Sequence, residues 1–348
     1  MIAETIALVV SLCACLALAV TVFRLRAKAA IHPTMIERPI TTVIPKSIRN
    51  PPAEAEVVLP GAEYLADPEA LPDVPDSVPD SVADGARFGR LTARAAAVRG
   101  DAARGNARVR RQAVALAVLD SFNPPVLVSV VAAGRPAGRR SQLGAAQACR
   151  SIQHKLADAA RNIEAAWPGV IEGDLEAGTQ MTSALGGAMR GVVDPISEVA
   201  KGRGVIPEDI ATELTCLLTR LGDGPSRAHI AFGVGTGPVL VLRSDGVLDT
   251  KLDPALPAGK AAALLPMAPD EMRWKSFATV PGEVALACTA TTARLLGQDG
   301  FAKYLADDWP TSPPSLMGFL VQLSIPDKIC RDDRAAVGLW ESPTGRRA

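Results

Sequence analysis

The feature that most constrains this chain is an uncharged, largely apolar run of nineteen residues near its N-terminus, from Thr5 to Phe23. A helix of that length covers most of the hydrocarbon core of a bilayer, because each residue adds about 1.5 Å. Glu4 is the charged residue before the run, and three basic residues come directly after it: Arg24, Arg26 and Lys28. A secretory signal carries its positive charge ahead of the apolar run instead. The pattern therefore predicts a transmembrane anchor over residues 1–28.

The basic residues behind the anchor also predict its orientation, because positive charge favours the cytoplasmic side of a membrane. We expect a single-pass protein of the plasma membrane whose C-terminal domain lies in the cytoplasm. The six cysteines fit that compartment, since they are scattered and include no CxxC pair. The alternative is an apolar N-terminal helix that docks on the folded domain of the same chain.

A proline-rich, acidic stretch follows at residues 29–85. Ten prolines fall between Pro33 and Pro79, and the sequence VPDS occurs twice in tandem, at 74–77 and 78–81. A segment without an apolar period has nothing with which to build a core, so we expect a disordered spacer. The chain as a whole has a formal net charge of zero, which argues against a nucleic-acid partner.

The composition changes again at residues 86–111, where arginine becomes frequent. Leu91, Ala95 and Val98 occur at helical spacing among the arginines, and this predicts a basic helical segment. Its charged face would be solvated, would touch anionic lipid head groups, or would associate with the acidic spacer. The candidates for lipid contact are three arginines at its start: Arg87, Arg90 and Arg94.

The remaining residues, 112–348, are predicted to form one globular domain. Residues 126–132 are a continuous apolar and β-branched run, which favours a buried strand. A helix is predicted from Pro207, because proline suits the first helical position, with an apolar stripe from Ile210 to Leu221. Further strands are predicted at 239–242 and 334–340. Strands and helices occur in separate blocks rather than as repeated βαβ units. That order indicates an α+β fold.

The C-terminal third carries the most specific pattern. GEVALACTATTARLL at 282–296 is followed by a predicted helix, SLMGFLVQLSI, at 315–325, and by CRDDRAAVGLW at 330–340. This order resembles the end of the type 2C metal-dependent serine/threonine protein phosphatase family, where G-D-x-L-L-L-x-T-D-G-L precedes two helices and D-D-R-T-A-V-x-x-W. Residues 230–248 are similar to the family's GDG hairpin. The resemblance implies a phosphatase-2C-like β-sandwich flanked by helices, over about residues 120–348.

The resemblance also implies two Mg²⁺ or Mn²⁺ ions held by aspartates, which activate a water for attack on a phosphoryl group. This chain departs from that pattern at most positions. Thr-Ala-Thr at 289–291 stands where the family has T-D-G, and Cys-Arg-Ser at 149–151 where it has Q-D-A. The GDG hairpin has become Gly-Thr-Gly at 235–237. The metal-ligand candidates that remain are Asp332, in the D-D-R motif, and Asp174, in place of the central D-G.

One or two carboxylates hold Mg²⁺ weakly, because that ion gives up its water reluctantly. The sequence therefore favours a degenerate, catalytically inactive domain that binds a protein partner and needs no cofactor. The partner would be a phosphoprotein, another envelope protein or a second copy of the chain. One alternative is an active phosphatase with Mg²⁺ or Mn²⁺ and rearranged ligands, drawn from Asp174, Asp245, Asp249, Asp332 and Asp333. Another alternative is an unrelated structural protein of the cell envelope.

Overall fold

The computed structural model describes residues 76, 78–222, 224–254, 262–298, 300–309, 312–325, 327 and 330–342. The predicted anchor from Thr5 to Phe23 and most of the predicted spacer lie outside these residues. Among the helices that are described, none is long and apolar enough to cross a membrane. The described part of the chain forms two β-sheets and the helices that cover them.

The sheets contain eleven strands in the described residues. Their bounds are β1 Ser81–Phe88, β2 Leu91–Val98, β3 Gln112–Leu119, β4 Val126–Gly134, β5 Thr212–Arg220, β6 Arg227–Val234, β7 Val239–Leu242, β8 Leu248–Leu252, β9 Arg273–Thr279, β10 Val284–Cys288 and β11 Arg334–Glu341. A six-stranded sheet has the order β1-β2-β11-β10-β7-β8, and a five-stranded sheet has the order β3-β4-β5-β6-β9. All of these neighbouring strands pair antiparallel.

The helices fall into two blocks, after an isolated short helix. Their bounds are α1 Asp101–Arg104, α2 Ser141–Asp158, α3 Ala160–Glu172, α4 Leu175–Arg190, α5 Val193–Gly202, α6 Ala290–Leu296, α7 Phe301–Asp308 and α8 Leu316–Leu323. Helices α2 to α5 connect β4 to β5, and α6 to α8 connect β10 to β11. Each connection joins two adjacent antiparallel strands of one sheet, and each block of helices packs on that sheet.

Three apolar cores hold these layers together. Strands β4 and β5 pack against α2 to α5 in one core, which contains the fully buried Trp167. A second core lies between the two sheets and is built from small and branched side chains such as Ala95, Leu127 and Val337. The third core joins β10 and β11 to α6, α7 and α8 around Trp340. Two antiparallel sheets with flanking helices fit the phosphatase-2C-like α+β fold that the sequence resemblance implied.

The predicted basic helix over 86–111 is wrong. This segment contains the end of β1, all of β2 and the short helix α1. The first described strand begins at Ser81, inside the predicted spacer at 29–85, rather than near Gln112. In β2 the sequence LTARAAAV alternates between two buried faces, with Ala93 towards the other sheet and Ala96 towards the helices. Alanine is compatible with both helix and strand, so its spacing could not decide between them. Pairing of β2 with β1 and β11 decides it.

The predicted helix from Pro207 is also wrong beyond its first turn. Pro207–Ile210 is a 3₁₀ turn, and Thr212–Arg220 is strand β5, a central strand that is buried on both faces. Apolar side chains on both faces of a buried strand produce spacings that resemble a helical stripe. The predicted strands at 126–132, 239–242 and 334–340, and the predicted helix at 315–325, are confirmed. Strands β3 and β9 were not predicted.

Candidate binding cleft

A cleft of about 460 Å³ lies at one end of the β-sandwich, where strands of both sheets terminate. The five-stranded sheet contributes the start of β3, the end of β4 and the start of β5, which are neighbours in its ladder. The six-stranded sheet contributes the residues just after β10 and just before β11. The side chains in the cleft that carry charge or a hydroxyl group are Arg111, Arg135, Glu213, Thr236, Thr289, Thr291 and Asp332.

Arg135 is the most accessible cation of the cleft lining. It directly follows β4, where its N–H donates to the Ala211 carbonyl at 2.8 Å and its own carbonyl accepts from the Ser141 hydroxyl at 2.9 Å. A side chain at Gly134 would lie 2.7 Å from Ser141, so only glycine allows this approach of β4 to α2. The exposed guanidinium of Arg135 has no hydrogen-bond or ion-pair partner among the described residues. A rigid backbone therefore presents a free cation.

Arg111 directly precedes β3, next to the end of β4, and is almost fully buried. Its Nη1 donates to the Pro136 carbonyl at 3.0 Å, and its Nε lies 3.7 Å from the Asp333 carboxylate without a hydrogen bond. Gln112, the next residue, is also buried, and its side-chain oxygen has no partner among the described residues. The cleft wall thus contains polar atoms whose hydrogen-bonding capacity is not used.

Asp333 has a structural role and does not line the cleft. Its side chain is fully buried, and its two oxygens accept from the backbone N–H groups of Gly100 and Arg111, each at 2.8 Å. Burial raises the pKa of this carboxyl, and the two backbone hydrogen bonds and the nearby arginines oppose that rise. Through these two hydrogen bonds Asp333, just before β11, holds the loop after β2 and the start of β3 in place.

Glu213 is a carboxylate of the cleft whose oxygens are already engaged. Thr236 donates its backbone N–H at 3.0 Å and its hydroxyl at 2.8 Å to this side chain. Burial raises the pKa of Glu213, and the hydrogen bonds from Thr236 and the nearby Arg273 oppose the shift. Gly235, with φ of 105°, allows the tight turn that places Thr236 there. Glu213 is consequently a poor candidate for a metal ligand.

Asp332 is exposed and has no hydrogen-bond or ion-pair partner in the described part of the chain. It lines the cleft together with Ala290 and Thr236. The three positions that the sequence comparison aligned with family motifs in the C-terminal third therefore meet at one place. Asp332 is the carboxylate of this cleft whose oxygens remain available.

The other predicted site residues lie elsewhere. Asp174, the second metal candidate, caps the N-terminus of α4 by accepting the Glu176 N–H at 2.8 Å, and it does not line the cleft. Arg150, expected at a ligand position, lies on α2 and contacts Gln147 at 2.8 Å. Asp245 accepts a backbone N–H in a turn, and Asp249 pairs with basic neighbours on the β7–β8 hairpin. Those residues are therefore not brought together with Asp332.

The three arginines predicted to touch lipid lie on the β1–β2 hairpin and not on one helical face. Arg90 pairs with Glu341 at 3.1 Å and donates to the Gly224 carbonyl at 2.5 Å. Arg94 donates to the Pro314 carbonyl at 2.9 Å, before α8. Arg87 is exposed and contacts the Gly89 carbonyl of its own turn. Arg90 and Arg94 therefore stabilise the fold, whereas the Arg87 side chain is available to a partner.

The residues of the cleft do not fit a pair of divalent ions. Such a pair needs several carboxylate oxygens, and the described residues of the lining offer Asp332 and the engaged Glu213 next to two arginines. No group of three His, Cys, Asp or Glu side chains among the described residues is arranged to hold a metal. Arginine at two places in the lining repels cations. The same donor set suits an anion.

Sequence reasoning missed Arg111, Gln112, Arg135 and Glu213 as cleft residues. A signal for one of them, Arg135, existed, because the buried strand at 126–132 is followed by Ala133-Gly134-Arg135, and loops that follow strands often carry functional residues. No comparable local signal identifies Arg111, Gln112 or Glu213. Their position depends on which strands are neighbours in the five-stranded sheet.

No known protein-family description matches the sequence, and no curated protein matches it either. Solved structures do match. Type 2C phosphatases are among the solved structures that it resembles. PppA, a regulatory component of the type VI secretion system in Pseudomonas aeruginosa, shares 15% identity over 75% of this chain and 96% of its own, with a TM-score of 0.45.

Two further matches also combine low sequence identity and a low TM-score with coverage of most of both chains. RsbX, solved in complex with magnesium, shares 10% identity over 74% of this chain and 98% of its own, with a TM-score of 0.43. The phosphatase MsPP from Mycobacterium smegmatis, solved with cacodylate, shares 14% identity over 76% of this chain and 99% of its own, with a TM-score of 0.42. With scores this low the likeness carries no argument about activity. The fold assignment rests on the strand order and helix layers described above.

Proposed function

We propose that this chain is a membrane-anchored cytoplasmic protein whose phosphatase-2C-like domain binds a phosphorylated protein partner in the cleft and does not hydrolyse it. The observation that carries the proposal is the charge of the lining. Arg135 and Arg111 stand in the cleft, where metal-dependent hydrolysis requires carboxylates, and Asp332 is the accessible carboxylate among the described lining residues.

The chemistry of the lining supports a phosphoryl group as the ligand. An arginine guanidinium offers several N–H donors in one plane, which match the oxygens of a phosphate. Arg135 has its donors free, and Thr291 supplies a half-buried hydroxyl without a partner among the described residues. Ground-state binding by such groups needs no metal. Hydrolysis would also need an activated water, and the described lining has no histidine or set of metal ligands to supply one.

The membrane part of the proposal rests on the sequence. The run from Thr5 to Phe23 followed by basic residues supports insertion with the cleft domain on the cytoplasmic side. If that is correct, the full chain stays in membranes washed with alkaline carbonate, and deletion of residues 1–28 releases it. Extraction of the full chain by the wash would reject the anchor.

Binding is tested with the full chain in detergent, by titration with a phosphoserine peptide in EDTA and again with Mn²⁺. We expect equal affinity in both buffers and no binding of the unphosphorylated peptide. Replacement of Arg135 by alanine removes charge-assisted hydrogen bonds of about 1.5–3 kcal/mol, which corresponds to roughly tenfold to a hundredfold weaker binding. Arg139→Ala is the matched control, because Arg139 is an exposed arginine of the same loop outside the cleft lining.

Phosphate release is followed in the same samples. Turnover that requires Mn²⁺ and disappears in Asp332→Ala would overturn the proposal and establish the active phosphatase instead. Equal weakening by Arg135→Ala and Arg139→Ala would show that the peptide responds to overall charge and not to the cleft.

A further inference from the structure

We propose that strand β3 is a self-association edge, at which a second copy of this chain adds its own β3 antiparallel and joins the two five-stranded sheets. Strand β3 is the first strand of its sheet and pairs with β4 on one side. No strand among the described residues pairs with its other side. The Gln112 carbonyl at its start accepts from the Arg110 guanidinium, and the described residues show no further hydrogen bond beyond the β4 ladder for the backbone of Val114, Leu116 and Val118. The outer N–H and C=O groups of this middle part of β3 are therefore available to an added strand.

The composition of β3 sets it apart from the other edges of the two sheets. Exposed edge strands normally carry charges or proline, which prevent pairing with other chains. Charged residues occur in each of the other three edge strands: Asp84 and Arg87 in β1, Asp249 and Lys251 in β8, Arg273 and Lys275 in β9. Strand β3, QAVALAVL, contains neither charge nor proline across its eight residues. It lacks the usual protection against edge-to-edge pairing.

The side chains of β3 also remain partly exposed although they are apolar. Ala113 and Ala115 border the core under α2, and Val114 and Leu116 border the core between the sheets, yet none of them is fully buried. Val118 is 37% exposed. A neighbouring strand would bury these side chains on both faces, and the small alanines permit its close approach.

The charges at the two ends of β3 indicate a second copy in antiparallel orientation as the occupant. Arg108 precedes the strand and Asp120 follows it, whereas the nearer Arg110 is buried and donates to the carbonyls of Pro79 and Gln112. Arg108 and Asp120 are exposed and have no ion-pair partner among the described residues. Antiparallel self-pairing brings the basic end of one β3 to the acidic end of the other, whereas parallel pairing would bring like charges together. The zero net charge of the chain adds no general repulsion between copies.

The test is disulfide cross-linking of the full chain in membranes. Cysteine is placed at Ala113, Ala115 or Ala117 in a background with Cys13→Ser and Cys15→Ser, and the other four cysteines of the sequence are buried. Facing residues in antiparallel strands are close enough for a disulfide, and Ala115 lies nearest the middle of the strand. Ala278→Cys, an exposed alanine on the opposite edge strand β9 of the same sheet, is the matched control.

We expect a disulfide-linked dimer from Ala115→Cys under mild oxidation, and none from Ala278→Cys. Adding Val118→Lys to the Ala115→Cys chain places a lysine at the basic end of the other copy's β3, because position 118 then faces Gln112. The dimer should be lost, while tryptophan fluorescence shows that the domain stays folded. Absence of a dimer at all three β3 positions overturns the proposal, and so does equal cross-linking at Ala278. The alanine-to-cysteine changes are conservative, so the result does not depend on the lysine variant.

Discussion

Replacement of Asp333 by alanine tests whether Asp333 stabilises the fold while the adjacent Asp332 does not. Asp333 is fully buried and accepts two backbone N–H groups, from Gly100 and Arg111, each at 2.8 Å. Each buried N–H left without an acceptor costs about 1–3 kcal/mol, and loss of one partner of a buried ion pair costs about 3–5 kcal/mol. These costs overlap, because Arg111 contributes to both. We therefore expect the free energy of unfolding to fall by about 3–5 kcal/mol.

The melting temperature provides the measurement. At about 2–4 °C per kcal/mol for a domain of this size, Asp333→Ala should lower Tm by roughly 6–20 °C. Fluorescence of the fully buried Trp167 reports the transition. Asp332→Ala is the control, because Asp332 is exposed and unpaired among the described residues, and its effect should stay within about 0.5 kcal/mol. A smaller loss in Asp333→Ala than in Asp332→Ala would refute the assignment of Asp333 as the structural residue.

Three further predictions concern buried ionisable groups. Burial raises the pKa of Glu213, so just above its ordinary pKa the folded state keeps a proton that the unfolded chain loses. The stability of the native protein relative to Glu213→Gln should therefore decline as pH rises through that range. A difference in Tm that does not change with pH would contradict this. Burial lowers the pKa of His229 to about 3, so the unfolded chain takes up a proton at a higher pH than the folded state does. The stability relative to His229→Leu, measured by urea unfolding at each pH, should fall by about 1.4 kcal/mol per pH unit below the ordinary pKa of 6.5. A constant difference would show that His229 takes up a proton while folded. Arg227 and Glu341 form a buried ion pair, so Arg227→Met should cost about 3–5 kcal/mol in urea unfolding, and a cost near zero would indicate that Arg90 compensates.

The candidate site could be predicted in part. Thr236, Ala290 and Asp332 were identified from the C-terminal motifs, and the structure brings all three to one cleft. Asp174 was assigned from a weak similarity and lies at the cap of α4 instead. The difference has a physical reason. The C-terminal motifs combine strand, helix and turn signals within short windows, whereas the assignment of Asp174 rested on one residue in place of the family's central D-G.

The secondary structure could likewise be predicted only in part. Strand β11 and helix α8 were predicted because their apolar periods differ clearly from each other and turn signals bound them. Strand β2 was mistaken for a helix, because alanine and arginine tolerate both structures and the decisive contacts are made with β1 and β11. The buried strand β5 was mistaken for a helix, because apolar residues on both of its faces removed the alternation that marks an ordinary strand.

The sequence by itself therefore determined the chemical content of this protein: the apolar run with basic residues behind it, the α+β order of its C-terminal half, and the replacement of expected carboxylates by Ala290 and its neighbours. Only the tertiary structure decided where the residues of the site lie relative to one another. It separated Asp332, which is open to the cleft, from Asp333, which is buried against backbone N–H groups, and it placed Arg111 and Arg135 in one wall. Local patterns encode the periods of helices and strands. Strand neighbours are chosen by burial across the whole domain, and the site is formed from the ends of those strands.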